Sequence, residues 1–219
     1  MIGSIDGGGM TSHRTRLRMV ERLRKEGIRD EAVLAAMTAV PRHIFVEEAL
    51  ASRAYDDTAL PLGFGQTISQ PYVVARMIEA LHEGRDRLGR TLEIGAGCGY
   101  QAAVLAELTD EVYAVERLAP LIERAKVNLR RLKQFRVRLK HADGQTGLIE
   151  AAPFATIVVS AAAANVPGSL LQQLELGGRM VAPIGTESQE LVLIEKTPNG
   201  FSKSRLDAVR FVPLLSGIE

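Results

Sequence analysis

The sequence predicts an α/β fold in which a mostly parallel sheet is covered by helices on both faces. From residue 90 onward, short apolar runs alternate with longer stretches of helical periodicity, which is the order expected of strand–helix–strand units. The runs are 91–94, 112–116, 137–142, 155–160 and 179–183. Two later runs, 190–196 and 206–214, flank Pro198-Asn199-Gly200, a hairpin signal that predicts an antiparallel strand near the C-terminal edge.

Helices precede the sheet in this prediction. The expected helices cover 14–26, 30–39 and 44–51. In the first, Leu17, Val20 and Leu23 recur on one face, and Gly27 is a stop signal. Pro41 closes the second helix, because the residue before a proline disfavours helical backbone.

A loop rich in glycine and proline, residues 59–65, follows these helices. Pro71 then suits the first turn of another helix, because its fixed φ matches that position. Apolar residues recur after it at helical spacing, at Val73, Val74, Met77, Ile78 and Leu81. The loop therefore leads directly into a helix N-terminus.

Length and composition indicate one soluble domain over residues 1–219. No stretch approaches the run of about 18 apolar residues that spans a bilayer, and the net charge of +1 gives no argument for a nucleic-acid or membrane partner. With one cysteine and no zinc-type histidine spacing, we expect no metal and a cytoplasmic location. We also expect a monomer. We expect a disordered leader over 1–11, a helical segment with a long loop over 14–89 and the α/β core over 90–215.

Three glycines lie where the first core strand ends and a helix begins, in the sequence Leu92-Glu-Ile-Gly-Ala-Gly-Cys-Gly-Tyr100. Glycine lets a backbone pass close to a ligand at such a turn. The G-x-G-x-G spacing differs from the G-x-G-x-x-G of dinucleotide-binding enzymes. Glu116 ends the second strand, at the position of a carboxylate that binds ribose hydroxyls. Asp143-Gly144 ends the third, where a carboxylate can accept from the amino group of adenine.

Each of these residues also has a purely structural interpretation. A carboxylate after a strand is often a helix cap or a solvated loop residue. Cys98 fills a small-residue position, and we interpret it as structural although a helix N-terminus can lower a thiol pKa. Three consecutive strand ends with ligand-type residues nevertheless favour a binding site at this edge of the sheet.

A more specific pattern is Leu60-Pro-Leu-Gly-Phe-Gly-Gln-Thr-Ile-Ser-Gln-Pro-Tyr72, which resembles the signature of the bacterial protein-L-isoaspartate (D-aspartate) O-methyltransferase family. The resemblance continues through the glycine loop and segments 115–117, 142–144, 152–154 and 210–214, and covers about residues 14–215. It implies a Rossmann-like, doubly wound sheet of the class I S-adenosylmethionine-dependent type. It also implies methyl transfer from S-adenosylmethionine to the free α-carboxylate of L-isoaspartyl residues in damaged proteins and peptides. The product ester then forms a succinimide, and S-adenosylhomocysteine is left.

The resemblance implies roles for individual residues as well. Ser69 matches the active-site serine of the family, and Ile184 matches part of the peptide-binding wall. The cofactor contacts that it implies are Gln66, Thr67, Ile68 and Ser69 in a loop closing over the cofactor, Glu93, Gly95 and Gly97 on the methionine side, Glu116 and Arg117 at the ribose, Asp143 and Gly144 at the adenine, and Gln189 from a late loop.

The implied chemistry needs alignment more than acid–base catalysis. A carboxylate with a pKa of about 4 is already ionised at neutral pH, so no general base is required. Ser69 would orient this carboxylate, and the helix beginning near Pro71 would offer its positive end to the anion. The alternative is that Ser69 only caps that helix.

Three positions depart from the family pattern. Ala155 replaces an acidic residue, Ala164 replaces a proline, and Cys98 replaces a serine or threonine. The first puts local hydrogen bonding in doubt, and the second puts the shape of a loop facing the substrate in doubt. A cofactor-binding protein that has lost methyl transfer therefore stays open as an alternative.

Other enzyme classes are less well supported. A nicotinamide-dependent dehydrogenase shares the acidic residue after the second strand but lacks the expected glycine spacing. A methyltransferase acting on RNA or a small molecule is the other alternative. A run of basic residues favours the RNA substrate, namely Arg130, Arg131, Lys133, Arg136, Arg138 and Lys140. Such charges more often form a solvated face, and aromatic residues that stack on bases make up only 5% of the chain.

Overall fold

The computed structural model describes residues 7–219, and the chain there begins with a 3-10 helix over Gly9–Thr11. The first six residues of the predicted leader lie outside the described residues. Within residues 7–11, the amide and the hydroxyl of Thr11 both donate to the Gly8 carbonyl, at 3.1 and 2.9 Å. A local turn at this position therefore leads into the first α-helix.

The first two predicted helices are present as α1 (His13–Lys25) and α2 (Glu31–Ala39). The buried face of α1 contains Met19, Val20 and Leu23, whereas Leu17 is 42% exposed. The predicted face was therefore rotated by part of a turn. In place of the predicted helix over 44–51 there are two 3-10 helices, Arg42–Phe45 and Glu48–Arg53.

A β-hairpin occupies the region predicted as a loop. Its strands are β1 (Leu60–Gly63) and β2 (Gln66–Ile68), which pair antiparallel. The turn places Phe64 and Gly65 at φ 54° and 68°, the left-handed backbone of a two-residue hairpin turn. This turn was not predicted, because a phenylalanine occupies a position where such turns usually have Asn, Asp or Gly. Helix α3 (Pro71–His82) follows and begins at the predicted proline.

The remaining elements alternate strand and helix, as predicted. In chain order they are β3 (Thr91–Ile94), α4 (Tyr100–Leu108), β4 (Val112–Glu116), α5 (Ala119–Arg131), β5 (Val137–His141), β6 (Phe154–Val159), α6 (Gly168–Gln172), β7 (Leu174–Gly185), β8 (Gln189–Thr197) and β9 (Gly200–Val209). The sheet order is β5-β4-β3-β6-β7-β8-β9. Pairing is parallel from β5 to β7, and β8 is antiparallel to both β7 and β9. The predicted fold class is confirmed.

The C-terminal strand differs from its prediction. Strand β9 spans Gly200–Val209 rather than 206–214. Its first half is polar and exposed because it lies at the sheet edge, so it carries little apolar signal. The apolar residues that follow pair instead with the loop after β6, where the Ala162 amide donates to the Val212 carbonyl at 2.8 Å and the Leu214 amide donates to the Ala162 carbonyl at 2.7 Å. The apolar residues after 209 therefore pack against the loop after β6 and do not form a strand of the sheet.

The sheet topology determines where a ligand can bind. Two hydrophobic clusters cover its faces, and the larger one includes residues of α1 to α5. After β3 the chain moves outward to β4 and β5, whereas β6 and β7 lie on the other side of β3. The order reverses between β3 and β6, and the carboxyl ends of strands at such a point leave a crevice. Among the described helices, none has both the length and the apolar character needed to cross a bilayer.

We expect Asp30→Ala to reduce the free energy of unfolding by about 1–3 kcal/mol. The Asp30 carboxylate accepts hydrogen bonds from the amides of Ala32 and Val33 at 2.9 and 3.1 Å, and its other oxygen lies 2.6 Å from Nδ1 of His82. Urea unfolding measures the effect. Glu31→Ala is the control, because its ion pair with Arg24 is exposed and contributes little. Equal losses in the two variants would contradict the role assigned to Asp30.

Candidate active site

A cleft lies at the carboxyl ends of β3, β4 and β6, with about 840 Å³ of empty space including its open mouth. Ten residues predicted for the site line it: Gln66, Thr67, Ile68, Ser69, Glu93, Gly95, Gly97, Glu116, Arg117 and Gly144. Asp143, Ile184 and Gln189 do not line it.

The glycine loop forms the floor of the cleft between β3 and α4. Gly99 has φ 86° and is the N-cap residue of α4. A Cβ on Gly99 would also lie 3.2 Å from Cβ of Ala125 on α5. Both the left-handed backbone and the close approach of α5 therefore require glycine here.

Glu93 lies at the end of β3 and is only 1% exposed. Burial raises the pKa of this carboxyl well above its usual range, a hydrogen bond with Gln101 partly lowers it, and the charge of Glu116 raises it further. Oε2 of Glu93 has no hydrogen-bond partner among the described residues. An acid buried without a cation favours its neutral form until a positive group approaches.

The Glu116 carboxylate at the end of β4 holds the backbone around the cleft. Its Oε1 accepts from the amides of Arg117 and Leu118, at 2.9 and 3.0 Å. Its Oε2 accepts from the Gly97 amide at 2.9 Å. Because each carboxylate oxygen has two acceptor positions, Oε2 keeps one for a ligand hydroxyl.

The β1–β2 hairpin forms one wall of the cleft and is attached to α5. The guanidinium of Arg124 donates to the carbonyls of Leu62 and Phe45, at 3.1 and 3.3 Å. Ser69 follows the hairpin and lines the cleft, and its hydroxyl makes no hydrogen bond to residues 7–219. The alternative that Ser69 caps α3 is wrong, because Gln70 is the N-cap residue.

The N-terminus of α3 already has an anion. Oδ1 of Asp57 accepts from the Tyr72 amide at 2.8 Å, and Oδ2 lies 3.5 Å from Nε2 of Gln70. The prediction that this helix end holds a substrate anion is therefore not supported. Asp57 neutralises the helix dipole at the position where the substrate would need it.

Asp143 contacts the C-terminal segment, defined as residues 212–219, rather than the cleft. Its Oδ2 accepts from the Gly217 amide at 2.7 Å and its Oδ1 from the Gln145 amide at 2.8 Å. Gly144 lines the cleft, but it is glycine because a Cβ would lie 2.5 Å from Cγ2 of Ile94. Close packing on β3 therefore requires glycine at this position.

Two other predicted contacts lie elsewhere. Oε1 of Gln189 accepts from the Phe211 amide at 2.6 Å and its Nε2 donates to the Phe211 carbonyl at 3.2 Å, so the whole amide is engaged away from the cleft. Ile184 lies on β7, forms a parallel β-bridge with Ala163 and packs against the smaller hydrophobic cluster. Neither residue is in position to contact a ligand in the cleft.

The structure also explains two departures noted in the sequence. Burial raises the pKa of the Cys98 thiol to about 11, so this group is protonated at neutral pH and packs as a small apolar side chain. The backbone of Ala155 is fully bonded, because its amide donates to the Arg90 carbonyl and its carbonyl accepts from Arg85, at 2.9 and 3.2 Å. No acidic side chain is needed there.

Sequence reasoning missed two polar residues that line the cleft. Nε2 of Gln101 on α4 donates to Oγ of Ser160, the residue after β6, at 2.8 Å. One feature of the sequence could have predicted Ser160 as a site residue, because it follows the central strand β6 directly, as Gly95 follows β3. Within residues 7–219, no group of three acidic, histidine or cysteine side chains is arranged to hold a metal ion.

A second cavity adjoins the cleft and opens beside β9. Thr67, Ser69, Ser160 and Val212 line both cavities. Arg210 is the charged side chain among the residues that line the second one. The junction of the two cavities is therefore lined mainly by hydroxyl groups and lies next to a cation.

The basic residues that suggested a nucleic-acid partner are partly neutralised. Arg136 pairs with Asp110 at 3.5 Å, Arg138 with Glu111 at 2.9 Å and Lys140 with Glu150 at 3.2 Å. This pattern is typical of a solvated face with mixed charge.

Comparison with known proteins gives a consistent result along the chain. The family model of protein-L-isoaspartate (D-aspartate) O-methyltransferase matches residues 14–219. The protein-L-isoaspartate O-methyltransferase of Dechloromonas aromatica (strain RCB) is 70% identical, over 98% of this chain and 100% of that protein. The protein of the same name from Azoarcus sp. (strain BH72) is 65% identical, over 94% of this chain and 95% of its own length.

Solved structures show the same similarity in three dimensions. A protein-L-isoaspartate O-methyltransferase superposes with a TM-score of 0.83 at 30% identity, over 93% of this chain and 67% of that one. A Plasmodium falciparum protein assigned to the same family, solved in complex with S-adenosyl-L-homocysteine, has a TM-score of 0.78 at 27% identity, over 91% of this chain and 98% of its own.

Glu93→Gln should stabilise the ligand-free protein, and more at pH 8 than at pH 4. The pKa of the Glu93 carboxyl is higher in the folded protein than its value of about 4.3 in the unfolded chain. The buried neutral acid therefore contributes its full stability below the unfolded pKa, and this contribution is lost as the pH rises through the folded pKa. A neutral amide avoids that loss. We expect a gain on the order of 1 kcal/mol or more at pH 8, by thermal and urea unfolding.

The matched control for this experiment is Glu107→Gln, whose carboxylate is exposed and accepts from Gln134 at 3.1 Å. It should leave the pH dependence of unfolding unchanged. If Glu93→Gln shifts stability equally at both pH values, the buried neutral acid is the wrong description.

Proposed function

The chain belongs to the protein-L-isoaspartate (D-aspartate) O-methyltransferase family, and from this membership we propose how its cleft holds the two reactants. The resemblance found in the sequence is confirmed. The chain is an S-adenosylmethionine-dependent O-methyltransferase that acts on L-isoaspartyl residues, which initiates repair of damaged proteins. The observation that best supports our assignment of the cleft is the buried, unpartnered Glu93 carboxyl among its lining residues.

Glu93 fits the positively charged ammonium of the methionine part. None of the described residues that shift the pKa of this carboxyl is a cation. A positively charged ligand group beside it would therefore favour its ionised form. Gly95 and Gly97 let the backbone run beside the same part of the ligand. When bound, S-adenosylmethionine supplies a methyl group made electrophilic by its sulfonium sulfur.

Glu116 fits the ribose, because its Oε2 keeps an acceptor position beside the Gly97 amide. Arg117 lines the cleft next to it, and Gln66, Thr67 and Ile68 form the wall above. For the adenine we propose a site against Gly144 and the start of the C-terminal segment, both of which line the cleft. Asp143 would act there indirectly, by holding the Gly217 amide.

Ser69 would orient the acceptor carboxylate at the junction of the two cavities. Its hydroxyl has no partner among the described residues, so it is available to donate. The carboxylate oxygen forms a bond to the methyl carbon while the carbon–sulfur bond breaks, the bonding electrons leave with sulfur, and no proton moves. The residues therefore contribute alignment and exclusion of water, which can lower a barrier by several kcal/mol.

We further propose a single-domain monomer that works in the cytoplasm, without a nucleic-acid or membrane partner. The helices of the N-terminal third share one hydrophobic cluster with α4 and α5, which supports one domain. Cys98 is a free thiol, which suits a reducing compartment. The ion pairs of Arg136, Arg138 and Lys140 argue against an RNA-binding face.

The substrate assignment is tested by methyl transfer from labelled S-adenosylmethionine to a synthetic isoaspartyl peptide. The matched control is the same peptide with a normal aspartyl residue, whose α-carboxyl group lies in the peptide bond. We expect base-labile methyl ester only with the isoaspartyl peptide. Binding of S-adenosylhomocysteine without transfer to either peptide would instead indicate a protein that keeps the cofactor site but has lost the reaction.

Ser69→Ala should lower kcat/KM for the isoaspartyl peptide by roughly tenfold to a hundredfold, the value of a hydrogen bond to a charged group. Calorimetry should show a much smaller change in affinity for S-adenosylhomocysteine. Ser202→Ala on the exposed part of β9 is the control and should behave as wild type. Wild-type kcat/KM in Ser69→Ala would remove the orienting role.

A further inference from the structure

The residue directly after β6 lies at the junction of the two cavities. Ser160 lines both cavities, as Ser69 does. Its amide donates to the Ile94 carbonyl at 2.8 Å, which fixes Ser160 level with the end of β3. A Cβ added to Gly95 would lie 3.5 Å from Cβ of Ser160, so the glycine leaves the space beside this serine open toward the cleft.

The hydrogen bond from Gln101 determines what the Ser160 hydroxyl can do. Nε2 of Gln101 is a donor only, so at 2.8 Å the Ser160 oxygen accepts and its own proton is left over. Among residues 7–219, no acceptor engages that proton. Gln101 is only 7% exposed, and it lies close enough to Glu93 to lower the pKa of that carboxyl, so one amide side chain interacts with both Ser160 and Glu93.

We propose that Ser160 is a second substrate-binding hydroxyl, which donates to the acceptor carboxylate from the sheet side while Ser69 donates from the hairpin side. This proposal rests on the proposed function, since it names a further contact of the same carboxylate. Ser69 and Ser160 are two of the three hydroxyl residues that line the junction, and together they match the two oxygens of a carboxylate. Gln101 connects Ser160 to Glu93, so it couples the acceptor position to the position of the methyl donor.

Neutral donors suit this reaction better than a cation at the same place. The carboxylate loses its negative charge as the oxygen–methyl bond forms, so a guanidinium against it would stabilise the ground state more than the transition state. Hydroxyls orient the anion with less of this penalty. Arg210 lines the second cavity but not the cleft, so it is placed to attract the anion without pairing with the reacting oxygen.

The first test compares steady-state kinetics of the Ser160→Ala, Ser160→Cys and Ser160→Thr enzymes on an isoaspartyl peptide. We expect kcat/KM to fall roughly tenfold to a hundredfold in the alanine and cysteine variants, and to stay within a few-fold of wild type in the threonine variant, which keeps the hydroxyl. Cysteine keeps the side-chain size, so it serves if the alanine variant is unstable. Ser204→Ala, on the exposed edge strand, is the matched control.

The second test measures a property that a purely structural role would not change. Calorimetry on enzyme saturated with S-adenosylhomocysteine compares an isoaspartyl peptide with the same peptide carrying an α-carboxamide. Wild type should prefer the acid, and Ser160→Ala should reduce this preference roughly tenfold while its affinity for S-adenosylhomocysteine stays within about twofold.

Three results would overturn the inference. These are wild-type kcat/KM in Ser160→Ala, an unchanged preference for acid over carboxamide, or an equal loss of S-adenosylhomocysteine binding, which would place Ser160 in the donor site through Gln101. Failure of the proposed function is a different result, because the wild-type enzyme would then not methylate the isoaspartyl peptide at all.

Discussion

The parallel pairing of β3 with both of its neighbours is the constraint on which the rest of the site depends. Ile94 pairs with Val115 on one side and with Val159 on the other. Gly95, Glu116 and Ser160 follow these residues directly, so three residues far apart in sequence lie at one level at the sheet edge. A one-residue slip of either strand would turn its side chains to the opposite face and disperse the cleft. The buried strands, through their register, therefore position the chemistry.

The buried carboxyl of Glu93 lowers the stability of the fold. Its carboxyl is enclosed by β3 and α4, where an apolar or amide side chain would pack with less penalty. The proposed function explains this residue, because a bound cation would compensate for the burial of its charge. Gln101 provides partial compensation and at the same time extends the polar chain to Ser160. The buried polar side chains of Glu93 and Gln101 and the hydroxyl of Ser160 therefore form one connected group that lines the cleft.

The sequence predicted the elements whose signals are local. Strands β3 and β4 have their predicted bounds, because they are short apolar runs buried on both faces, and α3 begins at Pro71. The hairpin of β1 and β2 was missed, since Phe64 takes the left-handed backbone at a turn position where Asn, Asp or Gly is usual. Gln189 and Asp143 were assigned to the ligand because sequence position cannot reveal that their polar atoms are already bonded to Phe211 and Gly217.

Helix α5 contributes no predicted contact, yet it holds three walls of the cleft. Its Asn128 donates to the Cys98 carbonyl at 3.0 Å, so it fixes the glycine loop. Its Arg124 donates to the Leu62 carbonyl in the hairpin. At its N-terminus the Ala119 amide donates to the Glu219 carbonyl at 2.7 Å, which fixes the C-terminal segment. Because one helix anchors all three walls, a displacement of α5 would move the glycine loop, the hairpin and the C-terminal segment together. The width of the cleft therefore depends on how α5 packs against β4 and β5.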